Sequence, residues 1–266
     1  MAYFRTSDGC SLYYETIGFE FLAPAVVFLN GTLQTTLYWK TIARSLQPRF
    51  RSLLYDARGQ GESEAGDLPL SLDLHLDDLS ALMRHVGVGP VFLVGLSHGA
   101  LLGYAMARKQ PQSVNRAVLC SIGIRASIRA RMIVRSWSDV LAAGGMEALA
   151  CAVVPHVFGE AFLSRNQKIL PRIAATLARR NRKAAVAAHL SAMAAYPRLR
   201  SLLAPLTVPA LIICGTDDPL VNVSGAAEAA EKSGAQFLKA EGIGHSIAAE
   251  APQWFGETIL GFFSDR

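Results

Sequence analysis

Three residues of this 266-residue chain are of the types that together perform nucleophilic acyl transfer, and each sits where a strand-like run ends. Ser97 lies in Gly95-Leu96-Ser97-His98-Gly99, after the apolar run 90–94 and before a helical stretch from 100 to 110 that stops at Pro111. A G-x-S-x-G in that setting predicts a sharp strand-to-helix turn that lifts the serine hydroxyl clear of the backbone. Glycine two residues before and after the serine leaves room where a Cβ would collide. The following helix aims free N–H groups and its dipole at the serine, where negative charge develops during acyl transfer. In a chain with 22 glycines such a pentapeptide also arises by chance. Its assignment therefore rests on its partners.

A serine needs a base, and the base needs a buried acid to hold one tautomer. Asp218 follows the apolar run 208–214, and His245 follows the run 236–240. In a parallel sheet the loops at the strands' C-terminal edge share one rim, so residues this far apart in sequence converge there. The chain order Ser, Asp, His is the one expected when the elbow sits mid-sheet. Asp217 competes with Asp218, and a turn aspartate before Pro219 is the plain structural reading. For His245 the plain alternative is a loop histidine bonded to backbone. An oxyanion also needs donors. The backbone N–H of His98 is one candidate, and that of Thr32, after the run 25–30, is the other, with Leu33 as its alternative. The His98 side chain receives no chemical role. Arg58-Gly59-Gln60-Gly61 lacks the full G-x-G-x-x-G and reads as a structural turn.

The elements that must position these residues alternate. Residues 10–18 read as an early antiparallel strand paired with 3–6 across Ser7-Asp8-Gly9. Continuous apolar runs at 25–30, 51–56, 91–94 and 117–120 suit the inside of a parallel sheet covered on both faces. Between them lie a helix carrying Trp39 and Leu46, and one capped by Ser71 that ends at Gly87. This succession predicts a doubly wound, mostly parallel sheet. It breaks after Ser121. From about 124 to 203 the chain is rich in Ala, Arg and Leu, with breakers at Gly144-Gly145, Pro155, Pro171 and Pro197, which predicts several helices. Strand 208–214, a helix over 226–232, strand 236–240 and a last helix from Pro252 complete the core. The expected division is core at 1–120 and 205–266, with a helical cap at 121–204.

Composition sets limits. With 51% hydrophobic and 18% charged residues the chain is globular. Its start shows no secretory pattern and its longest apolar runs are strand-sized, so a cytoplasmic location is expected. Cys10, Cys120, Cys151 and Cys214 lack metal spacing and read as buried free thiols, and the six histidines show no metal-type clustering; no metal, cofactor or disulfide is expected. The net charge of +5 is uneven. Residues 121–200 carry 13 Lys and Arg against three acids, a net of +10 that leaves −5 elsewhere. Such a lobe would attract an anionic substrate, unless it is simply a solvated helix face. Ile124, Ile128 and Met132 on one side of a basic helix suit either a membrane surface or, with more weight, packing over a pocket.

Taken together the chain resembles α/β-hydrolase-fold serine hydrolases with a helical cap. Asn30-Gly31 stands where many members have His-Gly, Asp56 to Ser63 is similar to the family's D-x-R-G-x-G-x-S turn, and Gly215 to Pro219 resembles its acid loop, with the acid directly before the proline. Gly244-His245 with Glu250 and Pro252 is similar to its histidine segment. Asn30 and Ala100 depart from the usual His and Gly. Within the family, the Asp56 turn and residues 145–158 resemble 3-oxoadipate enol-lactonases, whereas the loop from Asn30-Gly31 to Thr35-Thr36 resembles acyltransferases that join 3-hydroxyacyl chains. The resemblance implies a hydrolase of esters, lactones or thioesters acting through Ser97, Asp218 and His245. The implied partners are small, anionic acyl substrates, with CoA or an acyl-carrier protein as donor, and neither nucleic acid nor membrane. A serine nucleophile sets aside the aspartate-dependent dehalogenases and epoxide hydrolases. Acyl transfer to a hydroxyl and a non-catalytic binding protein on the same fold remain the alternatives.

Overall fold

Strands apolar on both faces take the middle of the sheet, as their composition requires. The computed structural model describes residues 2–196 and 199–264. In chain order it forms β1 (Ala2–Arg5), β2 (Ser11–Ile17), β3 (Ala25–Leu29), α1 (Lys40–Ser45), β4 (Arg51–Tyr55), α2 (Leu72–Val86), β5 (Val91–Leu96), α3 (His98–Lys109) and β6 (Val114–Cys120). The helices α4 (Ile128–Val157), α5 (Glu160–Arg165), α6 (Leu170–Arg179), α7 (Lys183–Ala195) and α8 (Leu199–Leu202) follow. Then come β7 (Ala210–Gly215), α9 (Val223–Ser233), β8 (Gln236–Ala240), α10 (Ile247–Glu250) and α11 (Pro252–Ser264).

Among the described residues eight strands make one sheet in the order β1-β2-β4-β3-β5-β6-β7-β8. From β4 to β8 neighbours are parallel, while β1 and β2 join antiparallel at one edge. Helices α2, α3 and α9 cover one face through Leu79, Met106 and Ala229 among others. Helices α1 and α11 cover the other through Ile42, Phe255 and Ile259. This is the doubly wound arrangement the alternation predicts, and it places the C-terminal ends of β3, β5, β7 and β8 along one rim.

The chain between β6 and β7 is helical, with a core of its own built on Trp137, Leu141, Leu149, Val153, Ala174 and Leu190. Leu33 and Leu220 from the sheet's rim enter that core, so the inserted helices are packed onto the rim itself. Gly145, at φ 74°, breaks α4 as expected of the Gly-Gly pair. Pro155 does not: it lies inside the second half of α4, and Pro171 starts α6 instead of ending a helix, since a first-turn proline forfeits no helical hydrogen bond. Pro197 and Arg198 lie outside the described residues. By length and composition α4 is apolar enough to cross a membrane, although Gly145 divides it. Two further expectations need correcting. Cys151 is exposed on α4. Ile128 and Met132 are 73% and 64% exposed and line no part of the large cavity, whereas Ile124 is buried before the helix starts.

Candidate active site

Ser97 is the N-cap of α3 and sits at φ 54°, ψ −112°, a left-handed-side conformation that costs a non-glycine residue on the order of 1–3 kcal/mol. The turn is fixed from both sides. The Ser97 amide donates to the Cys120 carbonyl at 2.9 Å, and the Ser97 carbonyl accepts from the Leu101 amide at 3.0 Å. A Cβ on Gly95 would lie 2.5 Å from the Gly99 carbonyl oxygen, the collision across the turn that the spacing predicts. A Cβ on Gly99 would meet something else, the Leu29 carbonyl oxygen of β3 at 2.1 Å. Gly99 is thus needed for the approach of α3 to the neighbouring strand.

Asp218 and His245 come together although 27 residues apart: Asp218 Oδ2 and His245 Nδ1 are 2.8 Å apart, and both side chains are buried. Asp218 Oδ1 accepts from the amides of Leu220 and Val221 at 2.8 and 3.0 Å, so the carboxylate is held on both oxygens. Asp217 is exposed. With Nδ1 hydrogen-bonded to a carboxylate, His245 keeps its proton there and leaves Nε2 as the basic nitrogen. The loop carrying His245 is anchored by groups to which sequence reasoning assigns no role. Ser121, at φ 53° just past β6, donates its hydroxyl to the His245 carbonyl at 3.0 Å. Glu250 accepts from the amides of Gly244 and Gly159, which ties the histidine loop to the end of α4. Burial raises the Glu250 carboxyl, and those amides oppose the rise.

The loop after β3 faces the elbow. Gly31 to Gln34 form a turn closed by the Gln34 amide on the Gly31 carbonyl at 3.1 Å, with Leu33 at φ 66°. Among the described residues the amides of Thr32 and Leu33 have no hydrogen-bond acceptor, and the His98 amide, first in α3, has no carbonyl inside its helix to serve. All three residues line the same cavity as Ser97 and His245. The sequence-predicted donors thus share one cavity with Ser97, and both Thr32 and Leu33 keep their amides available.

Asn30 has a definite job. Its amide donates to the Tyr55 carbonyl at 3.0 Å and to Asp56 Oδ1 at 3.2 Å, while its oxygen accepts from Trp39 Nε1 at 3.0 Å. Asp56 also accepts from the amides of Thr36 and Glu62. Burial pushes the Asp56 carboxyl up to about 6 against these donors. The Arg58 turn is structural, as read from sequence: its guanidinium is buried between Asp78 and Asp8. Gln60 donates to the Gly31 carbonyl at 3.1 Å, so this turn holds the candidate oxyanion loop in place. From the cap, Asn181 donates to the Leu33 carbonyl at 3.1 Å. A lone asparagine between helices carries no signal in sequence.

The cavity measures about 1300 Å³. Its inner wall is apolar, with Val134, Leu141, Val153, Phe158, Ile173 and Leu190 from the inserted helices. Arg125, Arg131, Arg135, Arg180 and Lys183 also line it, all exposed, against the single acid Asp139.

The expectation that the histidines do not cluster is wrong for three of them. His75 on α2, His98 on α3 and His189 on α7 each place one ring nitrogen within 4.8 Å of the other two, and all three are buried. Separations of 23 and 91 residues hide this in the sequence, where metal sites are sought at short spacing. Burial is the first cause that lowers each ring below its ordinary value, to about 3 for His75, to about 4 for His189, and well below for His98. All three are therefore neutral at pH 7.

A covered, mostly parallel sheet with a serine elbow and a rim Asp–His pair defines a class of protein, and comparison agrees: the chain belongs to the α/β hydrolase fold family, which matches residues 24–252. It is similar to 3-oxoadipate enol-lactonase 2 of Acinetobacter baylyi, 23% identical over 254 residues that cover 96% of this chain and 93% of the relative. Among solved structures, the enol-lactonase from Burkholderia xenovorans LB400 superposes with a TM-score of 0.90 at 27% identity, covering 99% of this chain and all of that one. A hydrolase from Pseudomonas aeruginosa PA01 superposes at 0.88 with 28% identity, covering 99% and 98%.

Proposed function

We propose that the protein is a serine hydrolase that opens a carboxylic ester or lactone through an acyl-enzyme on Ser97. The observation that carries this reading is the buried 2.8 Å contact between Asp218 and His245, in which His245 lines a cavity that Ser97 also lines. Ser97 Oγ attacks the substrate carbonyl as His245 Nε2 takes its proton. The tetrahedral oxyanion is met by the amides of His98 and of Thr32, with Leu33 the alternative second donor, and by the N-terminal end of α3. Asp218 orients His245 and stabilises its cation, which then protonates the leaving oxygen. For a lactone the leaving alkoxide stays tethered to the acyl group. Water, activated by the same histidine, releases the product. The names of the similar enol-lactonases support a lactone, and the apolar wall beneath an arginine rim supports an acyl chain that ends in a carboxylate. The cap, residues 121–204, forms the roof. Rapid mixing with p-nitrophenyl esters tests the mechanism: a burst of one nitrophenol per chain with a matching acyl mass on Ser97 is expected. Turnover without any acyl adduct, retained in Ser97→Ala, would overturn it.

A further inference from the structure

We propose that His75, His98 and His189 form a binding site for one divalent zinc-type metal ion, which ties the inserted helices to the nucleophile elbow. The three side chains come from three separate elements, α2 and α3 of the sheet's cover and α7 of the insertion, and they meet at the residue that follows Ser97. Core histidines are ordinarily retained because each ring nitrogen finds a partner. Here few do: among the described residues both nitrogens of His75 and Nδ1 of His189 are buried without a hydrogen bond, and His98 has no partner beyond the Asn30 carbonyl it lies against. Each such group left unsatisfied costs about 1–3 kcal/mol. One ion takes one nitrogen from each of the three rings and so answers a need that all three share.

The chemistry of the donors selects the occupant. Three neutral imidazoles suit zinc, cobalt, nickel or copper and are a poor set for magnesium or calcium, which take oxygen ligands. Metal–nitrogen bonds of about 2.0–2.1 Å in a tetrahedron put the nitrogens roughly 3.4 Å apart. The present spread, within 4.8 Å, closes to that by small rotations of rings already edge-on to one another, with centroids 4.6 Å apart for His98 and His189 and 5.2 Å for His75 and His98. Outer partners are in place as well. His189 Nε2 is 3.3 Å from Thr32 Oγ1, and His98 lies against the Asn30 carbonyl. A fourth position is open to water or to the Tyr196 hydroxyl, itself buried and unpartnered, on a ring 5.5 Å from that of His98. His98 and Tyr196 line the large cavity, which supplies the entry path.

The ion is a positioning element. It fixes the side chain whose own amide is a proposed oxyanion donor, and through His189 and Thr32 it fixes the loop that bears the other. The site stands apart from the proposed hydrolysis, because metal uptake is read without turnover.

The test uses the full chain, freed of any histidine tag and dialysed against a chelator. Cobalt(II) titration is followed by visible d–d absorption, with zinc competition and melting alongside. One cobalt per chain in a nitrogen-rich, low-coordinate environment is expected, displaced by zinc, with zinc raising the melting temperature. His75→Asn and His189→Gln should each weaken uptake by at least about 100-fold, since losing even an outer partner costs about 10–100-fold. His85→Gln, on the outer end of α2, should leave it unchanged. No uptake by the folded wild-type chain overturns the proposal, and that result stands whether or not a variant folds. So does uptake that persists in both cluster variants or disappears in His85→Gln.

Discussion

Gly99→Ala should damage the fold and the site together, and Gly103→Ala, one turn further along α3, should do neither. A Cβ at Gly99 lies 2.1 Å from the Leu29 carbonyl oxygen, 2.4 Å from its carbon and 2.8 Å from the Asn30 carbonyl oxygen, all backbone atoms. Ordinary contact begins near 3.4 Å, so β3 and α3 must separate by more than an ångström. At Gly103 the nearest atoms are the side-chain tips of Leu119 and Leu29 at 3.0 and 3.2 Å, which need give by only a few tenths of an ångström. Overpacking costs about 1–3 kcal/mol, and at about 2–4 °C per kcal/mol for a chain of this size the Gly99 variant should melt several degrees lower. The separation also pulls the His98 amide from the Thr32 loop, and removing one oxyanion donor lowers kcat about 10²–10³-fold. Gly103→Ala should melt within about 1 °C of wild type or above it, because alanine favours a helix interior by up to about 1 kcal/mol. Melting curves and acylation rates of the two variants decide the matter. A Gly99→Ala protein with wild-type melting and acylation would refute the placement of α3 against β3.

Other expectations follow from the same contacts. Asp218→Asn should leave melting nearly unchanged yet slow acylation by about 10⁴-fold, the cost of the wrong histidine tautomer; Asp217→Asn is the control that should retain full rate. Asn181→Leu, which frees the Leu33 carbonyl from the cap, should cost about 1–3 kcal/mol in stability and raise the mobility of the loop, read by hydrogen exchange at residues 31–35. Arg131→Ser with Arg135→Ser should raise KM for carboxylate-bearing esters while leaving neutral esters of equal length unchanged, as compared by steady-state kinetics. In chelator-treated protein, stability should fall as pH drops below about 6.5: the unfolded chain protonates His75, His98 and His189 there, while burial holds the folded rings neutral, His75 to about 3, His189 to about 4 and His98 well below its ordinary value. The unfolded state then binds more protons, which at pH 5 removes about 2 kcal/mol for each ring. Urea titrations at pH 7 and pH 5 check this, and His75→Asn should remove about a third of the difference.

The frame of this molecule was legible because its signals are local. Ser71 and Gly87 bound α2 as cap residues do, the continuous apolar runs became the inner parallel strands, and the Ser-Asp-His order placed three residues on one rim. Asp218 could be separated from Asp217 by resemblance, and the structure gives the physical reason: one carboxylate is buried against His245, and the other faces water. What escaped was held by contacts across long separations. Asn181 on the Leu33 carbonyl, Ser121 on the His245 carbonyl and the three-histidine cluster join elements whose spacing encodes nothing. Pro155 misled for a different reason. A proline late in α4 is tolerated once cap packing supplies the stability that propensity withholds.

The central claim is that Ser97 is activated by His245, and covalent labelling with a fluorophosphonate reads it directly by intact mass and peptide mapping. A single adduct on Ser97 that disappears in His245→Ala is the result this account predicts. A folded wild-type protein whose Ser97 stays unlabelled, or labels equally well without His245, would contradict it.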